Sequence, residues 1–222
     1  MKAIILDFDG TIADTIPAIT EGVNLAMRAL NLPEHTEEEV KGFINNGSRE
    51  LIRGALPEEF RRDEAFVDHA LTVYIGEYQR VYFHTNGPYP GIPELLRDLH
   101  REGYRVGVLS NKREAMLADL CRNILLPGSY DATSGAEAGK PTKPDRYMTD
   151  KLMARLGTDP ADCVMVGDSD VDVRTAANAG MRHIGVTWGY RSAEFLRRAG
   201  ATDLAGNAGE LRELIRSRYP FG

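Results

Sequence analysis

Four short, largely apolar runs frame this chain: residues 3–8 (AIILDF), 105–109 (RVGVL), 163–166 (CVMV) and 183–187 (HIGVT). Polar residues or turn signals follow the runs. Apolar residues recur at three- and four-residue spacing in between: Met116, Leu117, Leu120, Cys121 and Ile124 after the second run, then Tyr147, Leu152 and Leu156 after Lys143. Ala176, Ala177 and Ala179 form a further helical stretch, stopped by Gly180. Short apolar runs alternating with helices are the pattern of a parallel sheet covered on both faces. The expected fold class is therefore α/β, with a doubly wound parallel sheet.

One segment interrupts the alternation. From about residue 16 to residue 89 no strand is convincing. Leu25, Met27, Ala29 and Leu30 suggest one helix; Phe66, Ala70, Tyr74, Tyr78 and Tyr82 suggest another, whose aromatic stripe reads as internal packing. Gly87-Pro88-Tyr89-Pro90-Gly91 reads as the return link. The expected organisation is a core domain of residues 1–15 and 88–222 with a helical domain, residues 16–87, inserted into it.

With 222 residues the chain can bury a core without metal or disulfide staples. Two cysteines, Cys121 and Cys163, are too few for a disulfide framework and are expected to be free buried thiols in a reducing cytoplasm. No apolar run approaches the roughly 18 residues of a membrane span, and the N-terminal residues show no secretory pattern. The net charge is −6 and the basic residues form no block, which argues against a nucleic-acid partner.

In an open α/β sheet, ligands bind outside the carboxyl ends of the strands, and three of the runs end there in polar clusters. Asp7-Phe8-Asp9-Gly10-Thr11 places two carboxylates at i and i+2, leaving the strand on one side, followed by a glycine whose turn can face an anion. Ser110-Asn111 offers a hydroxyl and amides to a phosphate oxygen, or equally a helix N-cap. Gly167-Asp168-Ser169-Asp170-Val171-Asp172 gathers carboxylates suited to a hard cation, Mg2+ or Ca2+, without the glycine and glutamate spacing of an EF-hand. The loop Gly139-Lys140-Pro141-Thr142-Lys143-Pro144-Asp145 adds Lys143, with Lys140 as its rival, to offset the carboxylate repulsion.

The order DFDGT, LSN, KP and VGDSDVD resembles the haloacid dehalogenase-like phosphohydrolases over nearly the whole chain. The helical insert is placed like that superfamily's small C1 cap on a Rossmann-like core. Residues 164–175 and the GVTWGY run at 185–190 are similar to the phosphoglycolate phosphatase branch, as is Asn46-Gly47-Ser48-Arg49-Glu50-Leu51 in the cap, although Asn45 and Asn46 depart from it.

The resemblance implies a phosphatase acting on a small phosphomonoester, 2-phosphoglycolate first, through an aspartyl-phosphate. It makes Asp7 the nucleophile and Asp9 the general acid and base. Mg2+ is held by Asp7, the backbone carbonyl of Asp9, and Asp168. The phosphoryl group is cradled by Ser110, the amides of Gly10 and Asn111, and Lys143. Asp172 orients Lys143 or a metal-bound water; Asp170 is a solvated or capping residue, and Thr11 supports the loop.

Asn45, Asn46, Ser48 and Arg49 are the candidates for contacting the leaving group, with Arg49 suited to a substrate carboxylate. The cap is expected to close over the core, with hinges near residues 12–15 and 87–91. Retention of Asp9 favours phosphate esters over haloacids. Lys41, the single cap lysine, leaves a Schiff-base phosphonatase as a remote alternative. A pyrophosphatase, a nucleotidase or a β-phosphoglucomutase-like enzyme shares the core motifs, and a non-catalytic protein that binds a phosphorylated ligand or a protein partner is the reading from another class. The partners implied are a small phosphorylated metabolite, with neither nucleic acid nor membrane.

Overall fold

The computed structural model describes residues 2–44 and 47–220. The chain divides into two compact units, Met1–Asp14 with Gly87–Gly222, and Thr15–Asn86. Among the described residues no helix is long and apolar enough to cross a membrane.

The first unit is a six-stranded parallel sheet. Its strands are β1 (Ala3–Leu6), β4 (Arg105–Arg113), β5 (Ala132–Ala136), β6 (Cys163–Gly167), β7 (Arg182–Val186) and β8 (Asp203–Ala205), ordered β5-β4-β1-β6-β7-β8. A two-stranded antiparallel pair, β2 (Ala13–Asp14) with β3 (Gly87–Pro88), flanks it. The helices of this unit are α5 (Ile92–Arg101), α6 (Glu114–Ile124), α7 (Arg146–Leu156), α8 (Asp170–Ala179), α9 (Ala193–Ala199) and α10 (Ala208–Arg218).

The most apolar strands lie at the centre, because only there are both faces buried: β1 (AIIL) and β6 (CVMVG) are buried along their whole length. On one face Ile5, Leu109 and Met165 pack with Met148, Leu152, Met153 and Leu156 of α7 and with Ala176 and Ala179 of α8. Cys121 and Cys163 are free and buried, and Gly180 caps α8 at φ 76°. The strand order reverses at β1, which lies between β4 and β6, so a crevice opens at the carboxyl ends of these three strands.

Strand boundaries differ from the sequence reading in informative ways. The second run does not stop at Leu109: β4 continues through Arg113, so Ser110 and Asn111 are strand residues and α6 has Arg113 as its N-cap. The run at 183–187 is shifted by one residue. β5 (ATSGA) and β8 (DLA) were not foreseen, because neither carries an apolar run. Their register comes from main-chain pairing beside β4 and β7.

The second unit consists of α1 (Ile16–Ala29), α2 (Glu37–Phe43), α3 (Gly47–Ala55) and α4 (Glu64–Val81). In α1 the buried face is Ile16, Ile19, Val23, Ala26 and Met27; of the four residues that signalled this helix only Met27 is buried. The aromatic stripe of α4 is internal packing, with Tyr74 and Tyr78 buried and their rings stacked at 5.3 Å. A Cβ on Gly22 of α1 would come within 2.8 Å of Tyr78, so the small residue admits the ring.

Candidate active site

Asp7 follows β1 directly, and its N–H extends the ladder to the Val166 carbonyl at 2.9 Å. Its carboxylate turns into the crevice, where Oδ1 accepts from the Phe8 N–H at 2.7 Å and from Lys143 Nζ at 2.8 Å. The next residues fold back tightly: the Ile12 and Ala13 N–H groups both donate to the Phe8 carbonyl. Gly10 makes that return possible at φ 80°, and a Cβ there would lie 2.5 Å from Asp168 Oδ2. The Gly10 amide itself donates to the Ala13 carbonyl at 2.9 Å, so it faces inward rather than toward an anion. The Gly10 amide expected to face a phosphate is thus engaged within its own loop in this structure.

Asp168 follows β6 and is fully buried. Thr11 Oγ1 donates to its Oδ1 at 3.1 Å, and the Tyr190 N–H donates to its Oδ2 at 2.8 Å. Thr11 therefore fastens the Asp7 loop to Asp168. The loop after β7 closes the same corner. Trp188 Nε1 donates to the Thr11 carbonyl at 3.1 Å, and a Cβ on Gly189 would collide with the Gly10 carbonyl and the Asp168 side chain.

Lys143 is 4% exposed and bridges two carboxylates, Asp7 and Asp172, each at 2.8 Å. Its main chain is clamped by the Asn111 side chain: Nδ2 donates to the Lys143 carbonyl at 3.1 Å and Oδ1 accepts from the Lys143 N–H at 2.8 Å. Lys140, the rival, is exposed and stands over the Tyr147 ring. Asp172 also accepts from the Ser169 N–H at 3.1 Å and hydroxyl at 2.6 Å in the capping box of α8. Asp170 lies outside this cluster and pairs with Arg174 at 2.7 Å.

A second buried lysine was missed. Lys112 Nζ lies 3.2 Å from Asp9 Oδ1, with 5% of its side chain exposed. Ser110 Oγ lies 3.5 Å from Asp9 Oδ2 and accepts from the Lys112 N–H at 3.2 Å. The signal was present: once the strand continues past Ser110, residues 110 and 112 fall on the same face.

The crevice thus collects four carboxylates, Asp7, Asp9, Asp168 and Asp172, against two ammonium groups. Burial pushes Asp7 well above the ordinary carboxylate range; Lys143 opposes this, and Asp172, Asp168 and Asp9 add to it. Burial, with Asp172 beside it, pushes Asp168 up to about 7. Burial works against the Lys143 ammonium, but Asp172 and Asp7 outweigh it and hold the group above its ordinary value.

Asp7, Asp168 and Asp172 bring one oxygen each to within 4.8 Å of one another. This donor set of hard oxygens, with its unbalanced negative charge, fits a divalent cation. Each of the three already accepts hydrogen bonds: Asp7 from Phe8 and Lys143, Asp168 from Thr11 and Tyr190, and Asp172 from Lys143 and Ser169.

Ser48 and Arg49 belong to α3 in the helical unit. The Arg49 guanidinium is held there by Asp68 and by Glu64, the latter at 2.6 Å. Asn45 and Asn46 lie outside the described residues.

The sequence pattern of the haloacid dehalogenase-like hydrolases matches residues 4–186, and the chain belongs to that family. A phosphoglycolate phosphatase of Aquifex aeolicus is 31% identical over 192 residues, 86% of each chain. A phosphoglycolate phosphatase of Vibrio vulnificus is 26% identical over 219 residues, 97% of this chain and 96% of that protein. A crystal structure from Lactobacillus delbrueckii subsp. bulgaricus, of a protein whose name places it by inference with the phosphoglycolate phosphatases, superposes with a TM-score of 0.88. It is 33% identical and covers 97% of this chain and 99% of that one.

Proposed function

We propose that this hydrolase is a Mg2+-dependent phosphatase of small phosphomonoesters, 2-phosphoglycolate foremost, working through an aspartyl-phosphate. One observation carries the reading: a buried carboxylate at a strand end, Asp7, sits 2.8 Å from a buried ammonium, Lys143, with Asp9 two residues on and Asp168 alongside. The names of the relatives support the choice of ester.

Asp7 attacks the phosphorus in line, and the bond to the leaving oxygen breaks as Asp9 gives that oxygen a proton. Asp9 then takes a proton from water. The water oxygen attacks the phosphorus, the bond to Asp7 breaks, and phosphate leaves. Lys143 places positive charge beside Asp7 Oδ1, where the phosphate dianion must approach a carboxylate. The Ser110 hydroxyl and the Asn111 main chain are assigned to the phosphoryl oxygens. Asp7 and Asp168, with the Asp9 main-chain carbonyl, would hold the cation, which when bound supplies charge neutralisation between nucleophile and phosphate.

Leaving-group selection is assigned to the helical unit, with Ser48 and Arg49 as the residues to test. Arg49 would take up a substrate carboxylate in competition with Glu64 and Asp68.

Phosphate release from 2-phosphoglycolate, hexose phosphates, nucleoside monophosphates and pyrophosphate, with and without Mg2+, tests the proposal. The expected result is Mg2+-dependent release that is fastest from 2-phosphoglycolate. Faster release from another ester overturns the substrate. Isomerised sugar phosphate in place of free phosphate makes the enzyme a mutase, and no turnover of any kind overturns the catalytic reading.

A further inference from the structure

We propose that Lys112 is a positioning residue for the reaction: it fixes the Asp9 carboxylate and stabilises the charge that Asp9 acquires when it protonates the leaving group. The proposal rests on the acid–base reading of Asp9 given above.

Lys112 meets one oxygen of that carboxylate directly and supports the other through Ser110. Its ammonium lies 3.2 Å from Oδ1, and its N–H holds the Ser110 hydroxyl that lies 3.5 Å from Oδ2. A lysine normally runs its flexible stem out to water, since burying the ammonium is costly unless a partner repays it. Here the side chain is 5% exposed and aimed inward.

The backbone that aims it is itself constrained. The β4–β5 register is irregular between Leu109 and Arg113. Gly135 of β5 passes so close that a Cβ there would lie 2.8 Å from the Lys112 carbonyl. The Glu114 carboxylate ties the segment down, accepting from the Gly135 N–H and from Thr133 Oγ1.

As the phosphorus–oxygen bond breaks, the Asp9 proton moves to the leaving oxygen and Asp9 becomes an anion. An ammonium already in contact with it stabilises that developing charge without reorganisation. The benefit scales with the need for protonation. It is large for an alkyl ester, whose leaving alkoxide is strongly basic, and small for a nitrophenyl ester, whose leaving group departs unaided.

The test compares an alkyl phosphate with 4-nitrophenyl phosphate in saturating Mg2+ for Lys112→Met, Lys112→Arg and Asp9→Asn. Lys112→Met is expected to lose about tenfold or more in the single-turnover rate of leaving-group release from the alkyl ester beyond its loss on the nitrophenyl ester. Lys112→Arg is expected to recover most of that loss. Asp9→Asn is expected to show the same selectivity, larger, in that release step, which precedes the hydrolysis of the aspartyl-phosphate. If Asp9→Asn discriminates between the esters but Lys112→Met slows both equally, the role of Lys112 is overturned while that of Asp9 stands. If Asp9→Asn does not discriminate, the acid–base reading itself falls and takes this inference with it. Should Lys112→Met fail to fold, Lys112→Gln is read against the same two outcomes.

Discussion

The Asp172 carboxylate carries the N-terminal end of α8 on one oxygen and Lys143 on the other. A single side chain thus couples a helix cap to the ammonium beside Asp7, so Ser169 and Lys143 share one anchor. The family resemblance gave Asp172 the task of orienting Lys143 or a metal-bound water; that the same carboxylate also caps α8 does not show in sequence. The motif residues Asp7, Asp9 and Asp168 were legible because carboxylates at strand ends have few structural reasons to be there. Lys112 was not, because a lysine after Ser-Asn reads as surface until the strand is known to continue.

A half-buried titratable group lies on β7. Both ring nitrogens of His183 are buried with no hydrogen-bond partner among the described residues, and burial lowers its pKa to about 4. Asp172 and Asp203 oppose that shift without cancelling it. The unfolded chain, with an ordinary imidazole near 6.5, takes up the proton first, so this group costs stability as the pH falls from about 6.5 toward 4. The full loss is roughly 3 kcal/mol. In urea unfolding, His183→Leu is expected to show a shallower decline across that window than the parent chain. Parallel curves would contradict the assignment.

At the scale of elements, the close approach of three loops makes the site. Gly10 and Gly189 let the β1 and β7 loops meet Asp168 without a Cβ between them, and Tyr190 contributes only its N–H. Gly189→Ala is expected to push the β7 loop off Asp168 and weaken cation binding at least tenfold while leaving the sheet folded. Mg2+ titration of activity, with circular dichroism as the control, measures it; unchanged Mg2+ dependence would refute the role. The strongly apolar β1 and β6 and the periodic α6 could be read from sequence, since burial on both faces or on one stripe leaves a pattern. β5 and β8 could not, since main-chain pairing at a sheet edge leaves none. Of the residues that suggested α1, Leu25 is half-buried, Ala29 is exposed and Leu30 lies just beyond the helix end; the buried stripe runs instead through Ile16, Ile19, Val23, Ala26 and Met27.

For the whole molecule, the reversal of strand order at β1 decides where chemistry can occur. Of the charged side chains buried among the described residues, all but Asp203 lie at that crevice, and without a cation the gathered carboxylates oppose folding. Asp168, raised from 3.8 to about 7, costs stability as the pH rises from about 3.8 to about 7, because the unfolded chain gives up that proton first. Mg2+ is therefore expected to stabilise the protein, by about 2.7 kcal/mol at a free concentration one hundred times its Kd. The shift should be larger at pH 8 than at pH 6, where a proton must first leave. Thermal unfolding with and without Mg2+ at both pH values reads this out. An equal shift in Asp168→Asn would count against the site.

The account stands on Asp7 as the nucleophile, and an acid-quenched Asp9→Asn protein tests that most directly. Incubated with substrate and Mg2+, it is expected to accumulate one phosphoryl group, located by peptide mass spectrometry on Asp7 and absent from Asp7→Asn. Full turnover by Asp7→Asn, or the phosphoryl group on another residue, would contradict it.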